Sequence, residues 1–239
     1  MTPLGANVPE AGNTDAVLLD ALGTLVALEP PAPRLRRALS ARFGVSVSER
    51  EAERAIAAEI AYYRGHLDDG RDATTLASLR RRCAEVLRDA LPAAARGLLG
   101  ETESLVEALL ASLEFSAFDD VRPALDSLRR RGVRLVVVSN WDVSLVEVLG
   151  RLGLAPLLDG VVTSAAAGAR KPARAIFEQG LELAGVQPAR ALHAGDSVAE
   201  DVEGALAAGV EPVLVRRDGS PGPPGVRTIA TLAELEPVA

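Results

Sequence analysis

The chain has 239 residues, of which 48% are hydrophobic but only 3% aromatic, so Leu, Val and Ala must fill most of a core. A net charge of −7 argues against a nucleic-acid-binding surface, which needs a basic patch. No apolar stretch reaches about 18 residues, so we expect no membrane span. The single cysteine, Cys83, excludes an internal disulfide and a cysteine-based metal site. Together these features predict a cytoplasmic protein.

The first predicted elements are a tail, a buried strand and a series of helices. Residues 1–14 contain Pro and Gly but no basic residue before an apolar run, which predicts a flexible tail rather than a signal peptide. The apolar run that ends in Asp20 is followed by Gly23, a pattern typical of a buried strand and a tight turn. Apolar residues at three-to-four spacing then predict four helices, at 34–43, 48–67, 74–91 and 101–113.

After Phe118 the pattern changes to short Val- and Leu-rich runs that alternate with helical segments. The predicted strands lie at 133–139, 160–164, 191–194 and 211–215, and the predicted helices at 121–131, 144–152, 174–184 and 198–208. Such alternation is typical of a parallel sheet covered on both faces. The sequence therefore predicts an α/β fold: a Rossmann-like core of residues 15–30 and 119–239, interrupted by an all-helical domain of residues 31–118, here called the helical insertion.

Three polar residues follow the predicted strands at equivalent places. Asp20, Ser139 and Asp196 each lie at or just beyond the carboxyl end of a strand. In a parallel sheet with helices on both faces, reactive groups gather along this edge. The three positions therefore predict an active site at the carboxyl edge of the sheet.

Each motif has two interpretations when it is taken alone. Asp20 suits either a nucleophile that forms an acyl-phosphate or ester, or a cap for the next helix. Ser139 and Asn140 suit either the binding of phosphate oxygens or the N-cap of the following helix. Asp196 and Asp201 suit either Mg²⁺, which prefers oxygen ligands, or the compensation of a helix dipole.

Lys171 is the single lysine among 26 basic residues. It lies beside Pro172 in an Ala- and Gly-rich loop before a predicted helix. Ammonium and guanidinium groups are not interchangeable, so a lone lysine in an arginine-rich chain indicates a position where arginine does not serve. The alternative interpretation is a solvated loop lysine.

The order and spacing of these motifs resemble those of the haloacid dehalogenase-like hydrolase superfamily. The resemblance covers residues 16–215 and rests on four motifs: Asp-Ala-Leu-Gly-Thr-Leu from Asp20, Val-Ser-Asn ending at Asn140, Arg-Lys-Pro around Lys171, and the stretch 193–209 that begins His-Ala-Gly-Asp. The last motif and the block that follows Lys171 are the most specific. The helical insertion resembles the mobile cap that one large subgroup carries at this point of the chain.

The resemblance implies a Mg²⁺-dependent hydrolase, above all a phosphatase that acts on a small phosphorylated metabolite through an aspartyl-phosphate. Asp20 is then the nucleophile, and Lys171 stabilises the charge on Asp20 and on the phosphoryl group. The other implied roles are phosphoryl contact by Thr24 and Ser139 with Asn140 beside them, and Mg²⁺ binding by Asp20, the Leu22 carbonyl, Asp196 and Asp201.

Leu22 departs from the pattern of the superfamily's phosphatases, which usually carry a second Asp, a general acid and base, two residues after the nucleophile. Haloacid dehalogenases and phosphonatases also lack an Asp there. Two alternatives therefore stay open: a metal-independent dehalogenase, and a weakly active or non-catalytic protein that binds a phosphorylated ligand. The paired carboxylates of Asp196 and Asp201 disfavour the dehalogenase, because they suit Mg²⁺ better than an anionic haloacid.

The substrate is expected to be selected by the helical insertion. Its candidate specificity residues are Tyr62, Tyr63, Arg64 and His66. The insertion contains no lysine, which excludes the Schiff-base chemistry of phosphonatases unless Lys171 takes that part. The sequence predicts no nucleic-acid or membrane partner and leaves open whether the protein is a monomer or a dimer.

Overall fold

The computed structural model describes residues 14–235. The predicted tail at residues 1–14 lies outside this range except for its last residue. No helix of the described residues is long and apolar enough to cross a membrane.

A parallel sheet forms the centre of the fold. The strands of the described residues are β1 (Ala16–Leu19), β2 (Val26–Leu28), β3 (Phe115–Ala117), β4 (Arg134–Ser139), β5 (Gly160–Thr163), β6 (Ala191–Gly195), β7 (Glu211–Val215) and β8 (Arg227–Ile229). Six of them form one sheet in the order β5-β4-β1-β6-β7-β8 with every pair parallel. This confirms the predicted α/β fold.

Strand β1 lies in the middle of the sheet and is buried on both faces. Val17 and Leu19 pack into the hydrophobic cluster on one face, whereas Ala16 and Leu18 pack into the cluster on the other. Because side chains alternate along a strand, an uninterrupted apolar run is needed to fill both clusters. Leu19 pairs with residues of both β4 and β6, so the residue after it emerges level with the ends of both neighbours.

Helices cover the sheet and form the helical insertion. The helices of the insertion are α1 (Pro31–Phe43), α2 (Glu49–His66), α3 (Ala73–Ala90), α4 (Ala93–Arg96) and α5 (Thr102–Ser112). The helices of the core are α6 (Val121–Arg130), α7 (Leu145–Arg151), α8 (Ser164–Ala167), α9 (Arg174–Ala184) and α10 (Glu203–Ala208). The helices of the insertion bury their apolar faces in a hydrophobic cluster of their own.

The two long helices of the insertion begin with side-chain caps. Ser48 accepts a hydrogen bond from the backbone N–H of Glu51, whose carboxylate accepts from the N–H of Ser48, and Asp72 caps α3 in the same way with Thr75. Such reciprocal bonds satisfy N–H groups that have no partner within the helix. They explain why α2 and α3 start where the sequence predicts, to within a residue.

Three strands are not predicted from the sequence, and one predicted helix has a different form. Strands β2 and β3 pair as an antiparallel ribbon at the two ends of the helical insertion, although β3 lies in the segment predicted to be all-helical. Strand β8 joins the edge of the sheet and is not predicted either. Each of the three has only three residues, too few for a recognisable alternation. The predicted helix 198–208 is a wide, π-type turn at Val198–Val202 that continues into α10.

Candidate active site

The carboxylate of Asp20 lies at the carboxyl end of β1, in the centre of the sheet. Its backbone N–H donates to the carbonyl oxygen of Ala194 at 2.9 Å, which ties it to β6. The Ser139 hydroxyl donates to Asp20 Oδ1 at 3.0 Å, and Lys171 Nζ donates to the same oxygen at 2.5 Å. Among residues 14–235 no donor reaches Oδ2. One oxygen of Asp20 is therefore held in place while the other is available to a ligand.

The ammonium group of Lys171 lies between two carboxylates. Its Nζ is 2.5 Å from Asp20 Oδ1 and 2.5 Å from Asp201 Oδ1, and the residue is only 2% exposed. Burial alone would lower the pKa of a lysine, but the two carboxylates outweigh this effect and hold the pKa of Lys171 above its ordinary value. Lys171 is therefore a buried, charged residue of the site, and the interpretation as a solvated loop lysine is wrong.

The backbone on both sides of Lys171 is fixed by Asn140. The N–H of Lys171 donates to Asn140 Oδ1 at 2.8 Å, and Asn140 Nδ2 donates to the Lys171 carbonyl oxygen at 3.1 Å. Asn140 Nδ2 also donates to Glu200 Oε2 at 2.9 Å. The Lys171-Pro172 peptide bond is cis. The Val-Ser-Asn motif thus contributes one residue that contacts Asp20 and one that positions Lys171.

Asp201 is carried by the wide turn at Val198–Val202. Its Oδ1 accepts from Lys171 Nζ and contacts His193 Nε2 at 2.8 Å, and its Oδ2 accepts from the Ser197 N–H at 2.9 Å. Burial alone would raise the pKa of Asp201, but the charge of Lys171 and the hydrogen bond with His193 hold it below its ordinary value. Asp201 is therefore an ionised residue that orients the ammonium of Lys171.

His193 also lies at this site; the sequence includes it in the His-Ala-Gly-Asp motif but assigns it no role. The residue is completely buried in β6, and its ring packs edge-on against Phe177 with 5.0 Å between ring centroids. Side chains alternate along a strand, so positions 193 and 195 face the same side. At that side Gly195 leaves room for Asp201, because a Cβ atom there would lie 2.1 Å from Asp201 Cγ. The histidine before the Gly-Asp pair is thus a positioning residue for Asp201.

Three carboxylates, of Asp20, Asp196 and Asp201, form a cluster whose candidate ligand atoms all lie within 4.8 Å of one another. Burial, followed by the charges of the other two carboxylates, raises the pKa of Asp196 to about 6. The single ammonium of Lys171 leaves the cluster with surplus negative charge. Gly23, at φ +82°, makes the close approach possible, since a Cβ atom there would lie 2.2 Å from Asp196 Oδ2. An oxygen-rich, negatively charged donor set of this kind fits a divalent cation.

Two adjoining cavities lie between the core and the helical insertion. The first, here called the catalytic cavity, has a volume of about 290 Å³ and is lined by Asp20 and Ser139. The second, here called the insertion cavity, has a volume of about 280 Å³ and is lined mostly by apolar side chains. Four residues line both: Leu22, Arg64, Leu67 and Asn140. A ligand that reaches Asp20 can therefore extend into the insertion cavity.

Two arginines border the catalytic cavity, Arg64 from the insertion and Arg170 from the core. The Arg170 guanidinium pairs with Asp68 of the insertion at 2.9 Å, and it also donates to the carbonyl oxygen of Arg64 at 3.1 Å. Arg170 thus joins the core to the insertion one residue before Lys171. Its place in the Arg-Lys-Pro motif is the signal that could have identified it.

Other candidate residues of the sequence lie elsewhere. Thr24 is completely buried, its hydroxyl has no hydrogen-bond partner within residues 14–235, and it does not line the catalytic cavity, so its contact with a phosphoryl group stays a prediction. Of the four candidate specificity residues, Tyr63 and Arg64 line the insertion cavity. Tyr62 and His66 do not; their rings stack on each other at 4.0 Å.

The family model of the haloacid dehalogenase-like hydrolases matches residues 14–209. The chain belongs to the haloacid dehalogenase-like hydrolase family. The resemblance drawn from the motifs is thereby confirmed.

Relatives of known sequence include human haloacid dehalogenase-like hydrolase domain-containing protein 3, which is 42% identical over 101 residues, or 42% of this chain and 40% of that protein. The glyceraldehyde 3-phosphate phosphatase of Methanothermobacter thermautotrophicus is 37% identical over 102 residues, or 42% of this chain and 45% of the phosphatase. In both cases the match spans less than half of the relative's own length.

A solved structure extends the likeness over nearly the whole chain. The haloacid dehalogenase-like phosphatase of Thermococcus onnurineus is 28% identical, with a TM-score of 0.64 over 92% of this chain and 95% of that one. A match over 92% of the chain must include much of the helical insertion, because the core at residues 15–30 and 119–239 makes up a smaller share of the chain.

Proposed function

We propose that this hydrolase is a Mg²⁺-dependent phosphatase of a small phosphorylated metabolite and that it forms an aspartyl-phosphate on Asp20. The observation that carries the proposal is the state of the Asp20 carboxylate. Ser139 and Lys171 both hold Oδ1, whereas Oδ2 has no donor among residues 14–235. A carboxylate with one restrained and one available oxygen, at the wall of a cavity, suits a nucleophile.

The surplus charge of the acidic cluster supports a role for Mg²⁺. We assign the metal to Asp20, Asp196 and the carbonyl oxygen of Leu22, which accepts no hydrogen bond from the described residues. When bound, Mg²⁺ supplies the positive charge that lets a phosphate ester approach three carboxylates. Asp201 already accepts from Lys171 and Ser197, so its part is to orient these neighbours and to contribute negative charge to the metal site.

The proposed reaction has two steps at phosphorus. Asp20 Oδ2 attacks the phosphoryl group, a new P–O bond forms, and the bond to the ester oxygen breaks, so that the alcohol leaves and takes up a proton. Water then attacks the phosphorus of the aspartyl-phosphate, the bond to Asp20 breaks, and inorganic phosphate is released. Throughout, Lys171 holds its positive charge against Asp20 Oδ1 and the Ser139 hydroxyl keeps the carboxylate oriented.

The same charge distribution disfavours the alternative of a metal-independent dehalogenase. A haloacid brings its own carboxylate to a site where three carboxylates face a single ammonium. Without a dication, like charges at this distance repel the substrate. The relatives called phosphatases point in the same direction. A cytoplasmic location and the oligomeric state stay predictions.

The hydrolysis of p-nitrophenyl phosphate with and without Mg²⁺ tests the proposal, with Asp20→Asn as the decisive variant. We expect Mg²⁺-dependent turnover in the wild type and a loss of at least about 10³-fold in Asp20→Asn, since removal of a covalent nucleophile affects both steps. Asp15→Asn is the matched control: Asp15 precedes the other end of β1, where it pairs with the exposed Arg190, and its loss should leave turnover intact.

Each alternative function predicts a different experimental result. An Asp20→Asn protein that kept more than about a tenth of wild-type turnover would contradict covalent catalysis. Metal-independent release of halide from 2-chloropropionate would establish the dehalogenase. Tight binding of phosphate esters without turnover in the presence of Mg²⁺ would establish the non-catalytic binder.

A further inference from the structure

The insertion cavity differs from the catalytic cavity in the character of its walls. Buried leucines of α3 and α5 line it, Leu79 and Leu109 among them, and Leu22 lines it where it adjoins the catalytic cavity. Its volume of about 280 Å³ is close to the lower end of the ~300–1,000 Å³ typical of ligand pockets. It therefore suits a small and largely apolar group.

Two buried acidic side chains line this cavity, Glu59 and Asp142, and only Glu59 lacks a strong hydrogen-bond donor among the described residues. Glu59 is only 3% exposed and forms no ion pair among residues 14–235. The thiol of Cys83, a weak donor, is the one neighbour that opposes the effect of burial on the pKa of Glu59. Burial raises the pKa of Glu59 to about 7. A buried carboxylate without a cation is unfavourable for folding, and such groups often serve a ligand.

The other acidic side chains of the cavity, Asp142 and Glu147, are either satisfied or exposed. Asp142 accepts from the Tyr63 hydroxyl at 2.9 Å and from the Ser144 N–H at 2.7 Å. Three arginines, which can only donate, also line the cavity: Arg64 and Arg151 are exposed, and Arg80 is half-buried. Glu59 is thus the group that can accept from a ligand in the interior of the cavity.

From this arrangement we propose that the leaving group of the substrate is an apolar unit which carries a hydrogen-bond donor, a hydroxyl or an ammonium, and that Glu59 accepts from this donor. The proposal rests on the proposed phosphatase function and adds the class of alcohol that is released. Leu22 and Asn140 line both cavities, so an ester bound with its phosphoryl group at Asp20 extends its alcohol portion toward Glu59.

The test uses three series of phosphate esters with chains of three to six carbons: plain n-alkyl, ω-hydroxyalkyl and ω-aminoalkyl. Members are compared at equal numbers of non-hydrogen atoms, so that size and leaving-group chemistry are nearly constant, and kcat/KM is measured from released phosphate. At the best length we expect a donor-bearing ester to exceed its alkyl counterpart by at least about tenfold, because a buried acceptor left unpaired is penalised.

Variants of Glu59 assign this preference to one side chain. Glu59→Met should abolish the advantage of both donor series, and Glu59→Gln should keep the hydroxyl advantage but lose the ammonium advantage, because an amide accepts a hydrogen bond without carrying charge. Glu53→Met is the matched control, since Glu53 lies exposed on the same helix and does not line the cavity. It should leave the order of the three series unchanged.

Plain alkyl esters preferred at every length, or a donor preference that survives Glu59→Met, would overturn the proposal. If Glu59→Met does not fold, the Glu59→Gln comparison decides, because it too predicts a change of order. If no ester is hydrolysed, the phosphatase function has failed, and calorimetry with the free alcohols tests the cavity by itself. There, tighter binding of 1,5-pentanediol or 5-aminopentanol than of 1-hexanol, lost in Glu59→Met, supports the proposal, and equal or weaker binding contradicts it.

Discussion

The carboxyl edge of the sheet, here called the paired region, and the insertion cavity, here called the unpaired region, both bury ionisable groups. The charged groups of the paired region contact one another, whereas the Glu59 carboxylate of the unpaired region contacts no cation among the described residues. In the paired region the ammonium of Lys171 contacts Asp20 and Asp201, and His193 and Ser197 complete the partners of Asp201. In the insertion cavity Glu59 has no ion-pair partner among the described residues, and only the thiol of Cys83 offsets its burial. The first region holds its charges in a fixed arrangement before any ligand arrives, whereas the second leaves a carboxylate that a ligand can satisfy.

This difference separates two tasks in the proposed reaction. Chemistry on a phosphoryl group requires groups that are oriented in advance, and reciprocal contacts provide this orientation. Selection of the alcohol requires an acceptor whose pairing depends on the substrate, because discrimination comes from the penalty of leaving a buried polar group unpaired. The two regions meet at Leu22, which lines both cavities.

The sharpest test of the paired region is Lys171→Met. Loss of the ammonium leaves the carboxylates of Asp20 and Asp201 facing each other, and removal of one partner from a buried ion pair costs about 3–5 kcal/mol of unfolding free energy. Urea unfolding measures this loss, which should be smaller at low pH, where the carboxylates are protonated. Turnover of p-nitrophenyl phosphate should fall by at least about 10²-fold.

Arg174→Met is the control for Lys171→Met. It breaks the exposed pair with Glu178, four residues along the same helix, and pairs of this kind contribute about 0.3–0.5 kcal/mol. Similar losses of stability in the two variants would mean that the contacts of Lys171 are no stronger than those of a surface ion pair. The contrast between the two regions would then lose its basis.

The buried carboxylate of Glu59 predicts that the folded protein becomes less stable as pH rises. The pKa of Glu59 is raised from 4.5 in the unfolded chain to about 7 in the folded protein. Its proton is therefore retained longer in the folded state, and the folded state loses stability as pH rises from the lower to the higher value. Between about pH 5 and pH 8 this loss amounts to about 2 kcal/mol, since one unit is worth about 1.4 kcal/mol.

Glu59→Gln should remove this part of the pH dependence. Urea unfolding gives the change in unfolding free energy between about pH 5 and pH 8 for each protein, and this change should be smaller in the variant by about 2 kcal/mol. Glu53→Gln, an exposed change in the same helix, controls for the substitution itself. An identical fall in stability for wild type and Glu59→Gln would show that the Glu59 carboxylate does not destabilise the folded protein and needs no ligand as a partner.

The sequence predicts the paired region far better than the unpaired one. Asp20, Ser139 and Asp196 could be predicted because strand ends are visible as the ends of apolar runs, and Lys171 because it is the single lysine. Glu59 is hidden in an amphipathic helical pattern, where a glutamate is expected on the solvated face. Its burial depends on how α2 packs against α3, which only the tertiary structure reveals.

The other differences have equally local causes. The β2–β3 ribbon and β8 consist of three-residue strands, too short to show periodicity. The wide turn that carries Asp201 preserves the helical sequence pattern and changes only the hydrogen bonding, so that the N–H of Val202 bonds to the carbonyl of Ser197.

The smallest predicted effect concerns Leu22, at the junction of the two regions. Hydrolysis through Asp20 needs a proton for the departing alcohol and later a base for the attacking water, and a leucine side chain supplies neither. p-Nitrophenolate leaves without a proton, so the first step should be fast and the aspartyl-phosphate should accumulate. We therefore expect a burst of p-nitrophenol followed by a slow steady state. General acid–base catalysis is typically worth about 10²–10⁴-fold, of which a carboxylate at an unadapted position recovers a part.

Leu22→Asp should accordingly raise the steady-state rate by about tenfold or more and shrink the burst, whereas Leu22→Asn, which has the same shape without the acid–base function, should not. Leu22 lies half-buried at the wall of both cavities, so the shorter carboxylate has room there. Rapid, burst-free hydrolysis of alkyl phosphates by the wild type would mean that another group beside the catalytic cavity, or the substrate itself, supplies the acid and base. If that group belongs to the insertion, the insertion takes part in the chemistry, and the separation of tasks between the two regions does not hold.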